Sequence, residues 1–158
     1  MHFKNSLFWI AAFVVLVLDQ TAKHWVTQNF QLEETRPLLQ GIFHLTYVTN
    51  SGAAFSLFSQ GGGWLRWLSL VVSFGLVLLA WLGPSLSRWE QLGYGLILGG
   101  AMGNGIDRFV SGRVVDFLDF RLIHFAVFNV ADVFINVGIA CLLIASFQPP
   151  TANRKSRR

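Results

Sequence analysis

Four stretches of this sequence are too apolar and too long to be the surface helices of a soluble globule, and they limit what the chain can become. A helix that crosses a bilayer needs roughly 20 mostly apolar residues. Asn5 to Leu18 carries no charge, and the apolar pattern runs on past Asp19 and Lys23 to Val26. Trp67 to Gly83 is 17 residues without a charge, Gln91 to Ile106 is 16, and Phe125 to Phe147 holds a single charged side chain, Asp132. These runs predict an α-helical membrane protein with four transmembrane helices, at about 7–26, 66–83, 91–108 and 126–147. Composition agrees. The chain is 53% hydrophobic and only 13% charged, where a soluble domain is about a quarter charged. Disorder, which needs few apolar residues and high net charge, is excluded. Fifteen Phe and six Trp supply rings that settle at bilayer interfaces. With 158 residues, one integral membrane domain over 1–158 is expected.

The first run follows Lys4, as a signal peptide would, but leads into Asp19-Gln20-Thr21-Ala22-Lys23 without a small-x-small cleavage site, so a retained helix is expected. An even number of spans places both termini on one side. Residues 148–158 carry Arg154, Lys155, Arg157 and Arg158 behind Pro149-Pro150, the composition of a disordered cytoplasmic tail. Lys4 and Arg88 fall on the same side. Lys23, Arg36, Arg66, Arg108, Arg113 and Arg121 fall on the other, so the orientation rests on the dense tail and the exported-side cations need local partners. The net charge of +4 reads as tail anchoring to anionic membrane lipids. No nucleic-acid motif is present. The single Cys141 lies in an apolar run and reads as a buried thiol.

Residues 27–65 form an exported-side β segment and loop. Ile42 to Thr49 alternates, with Phe43, Leu45 and Tyr47 on one face and His44, Thr46 and Thr49 among the others, which predicts a strand. Gly41 and Gly52 bound it, and Gly61-Gly62-Gly63 reads as a flexible loop. A small sheet at the membrane surface fits. Ser111 to His124 links the third and fourth helices. In the third, Gly95, Gly99 and Gly103 repeat every four residues, a face on which helix backbones approach closely.

The informative residues are those lipid should not tolerate, since an ionisable group at membrane depth is a functional hypothesis by default. Asp132 reads as about two turns into the fourth helix, with Asn129 and Asn136 on its face. Asn104 and Asp107 close the third helix, Asp19 and Lys23 close the first at i, i+4, Asn50 follows the strand, and Asp116 and Asp119 lie in the connecting segment. Five of the eight acidic residues thus gather at one bilayer face. Two carboxyls sharing a water can hydrolyse an amide without metal, Ser or Cys. Repulsion raises one pKa, the pair holds one proton, and the ionised member activates water while the other protonates the carbonyl. Plainer readings stand beside this one. Asp107 with Arg108 reads as a helix-end ion pair, and Asp19 with Lys23 as an intrahelical one. Asn104 and Asn129 read as interhelical hydrogen-bonders, Asp116 as an exposed loop acid, and Asp132 as a packed carboxyl. His2, His24, His44 and His124 lack metal-ligand spacing, so no metal site is expected. A Ser-Lys pair from Lys23 with Ser51 or Ser56 is a further candidate. So, from other classes, are a small transporter using Asp132 and an assembly protein using the glycine face.

At these residues the chain resembles the bacterial lipoprotein signal peptidases (signal peptidase II), a family of aspartic membrane proteases. Five blocks carry the resemblance in order: Asp19-Gln20-Thr21-Ala22-Lys23; Asn50-Ser51-Gly52-Ala53-Ala54-Phe55-Ser56; Gly99 through Gly103-Asn104 to Asp107-Arg108; Val114-Val115-Asp116-Phe117; and Phe128-Asn129-Val130-Ala131-Asp132. The resemblance implies four transmembrane helices, a β-cradle on the exported side, and a bacterial cytoplasmic (inner) membrane location with both termini cytoplasmic and the active site near the exported face. It implies Asp116 and Asp132 as the catalytic dyad, with Asp19, Lys23, Asn50, Gly52, Asn104, Asp107, Arg108 and Asn129 supporting it or contacting substrate. The substrates would be prolipoproteins bearing a diacylglyceryl-Cys, cut just before that Cys by a monomer without cofactor. The choice of Asp116 over Asp119 comes from the resemblance.

Overall fold

The charge-free runs fold as helices. A computed structural model describes residues 4–52, 62–123 and 125–148. Ala53 to Ser56 of the second block, Gly61 of the glycine loop, His124 and the basic tail from 149 lie outside the described residues. Helix α1 is Ser6–Asn29, α2 is Leu65–Leu82, α3 is Arg88–Val110 and α4 is Val130–Ser146. By length and composition α1 and α2 are sufficient to cross a membrane, α4 is apolar but 17 residues long, and glycine-rich α3 does not reach that apolarity.

Two helix starts differ from the hydropathy boundaries, and caps explain both. Helix α3 begins at Arg88, three residues early, because the Ser87 hydroxyl accepts from the Glu90 N–H at 3.3 Å and Glu90 accepts from the Ser87 N–H at 2.7 Å. Helix α4 begins at Val130 and not near 126. Asn129 is its cap, accepting from the Asp132 N–H at 3.0 Å, while Asp132 accepts from the Asn129 N–H at 3.3 Å. Asp132 therefore lies in the first turn of α4, not two turns in. Hydropathy cannot separate an apolar lead-in such as Phe125 to Phe128 from the helix it precedes.

Helix α3 is the centre of the bundle, and glycine puts it there. A β-carbon on Gly95 would stand 2.5 Å from the Phe8 carbonyl oxygen of α1, and one on Gly99 2.6 Å from that of Ala12. On Gly103 it would collide with the Asp19 carboxylate. The opposite side of α3 meets α4 through Gly100, where a β-carbon would lie 2.7 Å from the Ala131 carbonyl oxygen. Small residues on two faces let three helices converge, with Ala11, Val15, Leu96 and Cys141 buried between them, while Phe8, Ala12 and Leu98 pack with Ala80 of α2.

Strands β1 (Thr35–Leu39), β2 (Phe43–Asn50) and β3 (Val114–Phe120) form one antiparallel sheet in that order. The alternating run is β2. Its buried side chains are His44 and Thr46, the latter bonded to Asp119, while Phe43, Leu45 and Tyr47 are half-buried, with Leu45 and Tyr47 packed against Val26, Phe30 and Phe117. Strand β3 falls in the segment that reads from sequence only as a connection. Its Phe117 joins Val26 of α1 and the helix's C-cap Phe30 in a small core that fastens the sheet to the helix end. Beyond β3 the chain turns back: Phe117 and Leu118 both donate to the Phe128 carbonyl, at 2.9 and 2.8 Å, and Phe128 donates to Leu118 at 3.0 Å. That stitch holds β3 against the start of α4.

Candidate functional site

The stitch brings two acids together. Asp116 on β3 and Asp132 in the first turn of α4 both line one cavity of about 240 Å³, with Asn50, Gly52, Asn104 and Arg108. Asn129 spans the pair. Its side-chain amide donates to Asp116 Oδ1 at 2.7 Å while its backbone N–H donates to Asp132 Oδ2 at 3.3 Å. Asn50 donates to Asp116 Oδ2 at 3.2 Å, and Asn104 to Asp132 Oδ1 at 2.8 Å. Asp116 is only 3% exposed, so it is not the solvated loop acid its neighbourhood in the sequence allows.

Behind the acids lies a buried ionic network. The Lys23 ammonium sits 2.8 Å from each of Asp19 Oδ2, Asp107 Oδ2 and Asn104 Oδ1. Its i, i+4 pairing with Asp19 is present, but the partner of Asp107 is Lys23 and not Arg108. Asn104 thus accepts from Lys23 and passes the polarisation to Asp132 through its amide. Asp19 also accepts from the Ala131 N–H at 2.9 Å, satisfying one of the N–H groups that every helix start leaves open. Asp107 accepts from the Val115 N–H at 3.3 Å, tying α3 to β3. Gln20, to which the sequence assigns no role, donates to Asp107 Oδ1 at 3.1 Å and to the Gly103 carbonyl at 3.2 Å. Its only sequence signal is its place between Asp19 and Lys23. The Lys23 Nζ is taken up by Asp19, Asp107 and Asn104, which disfavours the Ser51 pairing; Ser56 lies outside the described residues.

Arg108 donates to the carbonyls of Gly52 at 3.3 Å and Asn104 at 3.4 Å, and its charge acts on Asp132, Asp116 and Asp107. Its buried Nε has no partner among the described residues.

The two acids of β3 part company. Burial first, and then the neighbouring Asp132 charge, push the Asp116 carboxyl up to about 6, against the opposing bonds from Asn129 and Asn50. Asp119 is also pushed up by burial. The Thr46 hydroxyl at 2.6 Å and Arg121 Nε at 2.7 Å outweigh that and hold it below the usual carboxylate range. Asp119 is a structural ion-pair member; Asp116 is poised to hold a proton at mild pH.

Known proteins resemble this chain in sequence and in fold. A family model described as signal peptidase (SPase) II matches residues 11–148. A lipoprotein signal peptidase of a Nostoc species is 68% identical over 158 residues, covering 99% of this chain and 100% of the relative. That of Nostoc punctiforme is 70% identical, covering 94% of each, and that of Gloeobacter violaceus 56%, covering 94% and 86%. A solved bacterial membrane enzyme aligns over 100% of this chain and 98% of its own, with a TM-score of 0.84 at 26% identity.

Proposed function

The chain belongs to the signal peptidase II family of lipoprotein-processing proteases, and from that premise we propose that it removes signal peptides from prolipoproteins with Asp116 and Asp132 as an aspartic dyad. The observation that carries the reading is Asn129, whose side chain and backbone each hold one of two acids from different elements at one cavity. Asp132 is the base. It sits at a helix N-terminus, where a carboxylate is stabilised, and takes its bond from an Asn104 amide backed by the Lys23 ammonium. Asp116, with its raised affinity for a proton, is the acid.

In the first step Asp132 takes a proton from water as its oxygen attacks the carbonyl carbon of the scissile bond, and Asp116 gives its proton to the carbonyl oxygen. The tetrahedral gem-diol then collapses. The C–N bond breaks, Asp132 returns its proton to the departing nitrogen, and Asp116 recovers its own from the hydroxyl. The products are a signal peptide ending in a new carboxyl and a lipidated Cys with a free amine. Arg108 and the Asn50–Gly52 turn hold the substrate backbone. Four helices cross the bacterial inner membrane, both termini lie in the cytoplasm, and the dyad works near the exported face as a monomer.

Purified chain and a diacylglyceryl-Cys signal-peptide substrate test this. Asp116→Asn and Asp132→Asn should each lower cleavage by at least about 10³-fold, a loss of the order seen when an acid–base pair is broken, with the protein still folded and membrane-inserted. Undiminished cleavage by either variant would refute the dyad.

A further inference from the structure

Asn136 has no part in the mechanism above, yet it stands one turn beyond Asp132 on α4 and lines the same cavity. Its amide donates to the Asp132 carbonyl oxygen at 2.8 Å, which is its one hydrogen bond among the described residues. The second N–H and the side-chain oxygen are unused, and the residue is exposed. Around it α4 is apolar, with Val133 and Ile135 beside it in the cavity wall and Val137 and Ile139 on the outer surface. Asn is a poor interior helix residue, and an amide with one N–H and its oxygen left unused at membrane depth is costly. A side chain penalised twice in place of Leu or Val points to a partner that comes and goes with the substrate.

Four residues of helix separate Asn136 from Asp132, about 6 Å along the axis and away from the sheet. Resting on the functional reading above, the substrate places its scissile peptide at the dyad. The glyceryl group on the Cys sulfur then hangs a few bonds further on, in the direction of its acyl chains. Its polar atoms at that depth are two ester carbonyls, which only accept hydrogen bonds. We infer that Asn136 donates its second N–H to an ester carbonyl of the substrate's diacylglyceryl group and so reads the lipid modification directly, while Val133 and Ile135 receive the start of the acyl chain.

The test uses the full chain and two substrates of one peptide sequence, with a diacylglyceryl Cys (ester) or a dialkylglyceryl Cys (ether), which lacks the carbonyls. Asn136→Leu should raise KM for the ester substrate about fivefold, the worth of one neutral hydrogen bond, with kcat unchanged and the ether substrate unaffected. An unchanged KM for the ester substrate, or an equal loss on both, would overturn the inference while leaving the dyad standing. Failure of the wild-type chain to cut either substrate would instead remove the functional reading, and this inference with it.

Discussion

At the scale of single residues, the fold gives two chemically identical acids unequal surroundings. Asp116 and Asp132 share Asn129, but only Asp132 has a helix N-terminus and a lysine-backed amide behind it. Burial and the Asp132 charge keep the Asp116 proton on to about pH 6. In the proposed mechanism the active form carries one proton, so kcat/KM should fall as pH rises through that region, when Asp116 ionises and leaves no acid. Asn50 bonds the ionised form of Asp116 and lowers its pKa. Asn50→Ala should therefore move the alkaline limb to higher pH, by up to about one unit for a bond to a charged group. A pH profile of kcat/KM checks the sign; a limb that stays put or moves to lower pH contradicts the assignment of Asp116 as the acid.

At the scale of elements, glycine spacing on α3 and the stitch after β3 decide where the acids sit. A methyl group on Gly99 would stand 2.6 Å from the Ala12 carbonyl oxygen and 2.7 Å from Val15 Cβ, both on α1 and neither able to rotate away. Gly99→Ala should cost about 1–3 kcal/mol, as overpacking does, read as a lowered melting temperature in detergent; an unchanged melting temperature would mean that α1 and α3 are not so close. The four-residue repeat Gly95-Gly99-Gly103 makes this contact legible in sequence, and the charge-free runs make the helices legible. Strand β3 is not legible in the same way. Val114–Phe120 is short, puts acids at both 116 and 119, and takes its register from β2 and from Phe128, contacts that no local pattern announces. The start of α4 hides for a related reason: Phe125 to Phe128 is as apolar as the helix, and only the Asn129–Asp132 box marks the boundary. Asp132 is thus visible as an expensive residue in sequence, while its neighbour across the cavity emerges from long-range pairing.

At the scale of the whole molecule, the fold is a bundle whose outside is apolar and whose ionic network is inside. Val71, Phe74, Trp81 and Leu82 of α2 and Ile10, Phe13 and Val17 of α1 face outward, whereas Asp19, Lys23 and Asn104 are buried. That inversion suits a lipid surround, where charge is tolerated only when it faces inward and is paired. The polar residues concentrate at the end that carries the sheet, so the bundle has one reactive end, and its function depends on which side of the membrane that end meets. Cys141 is buried and is the only cysteine in the chain, so an introduced thiol can be read against a low background. Gln40, between β1 and β2, and Ser85, just past the C-terminal end of α2, are both exposed. In intact spheroplasts a membrane-impermeant maleimide should label Gln40→Cys at once and Ser85→Cys only after the membrane is opened. Labelling of Ser85→Cys in sealed spheroplasts would reverse the orientation and put the dyad on the cytoplasmic face, where a protease for exported proteins would lie on the wrong side of the membrane.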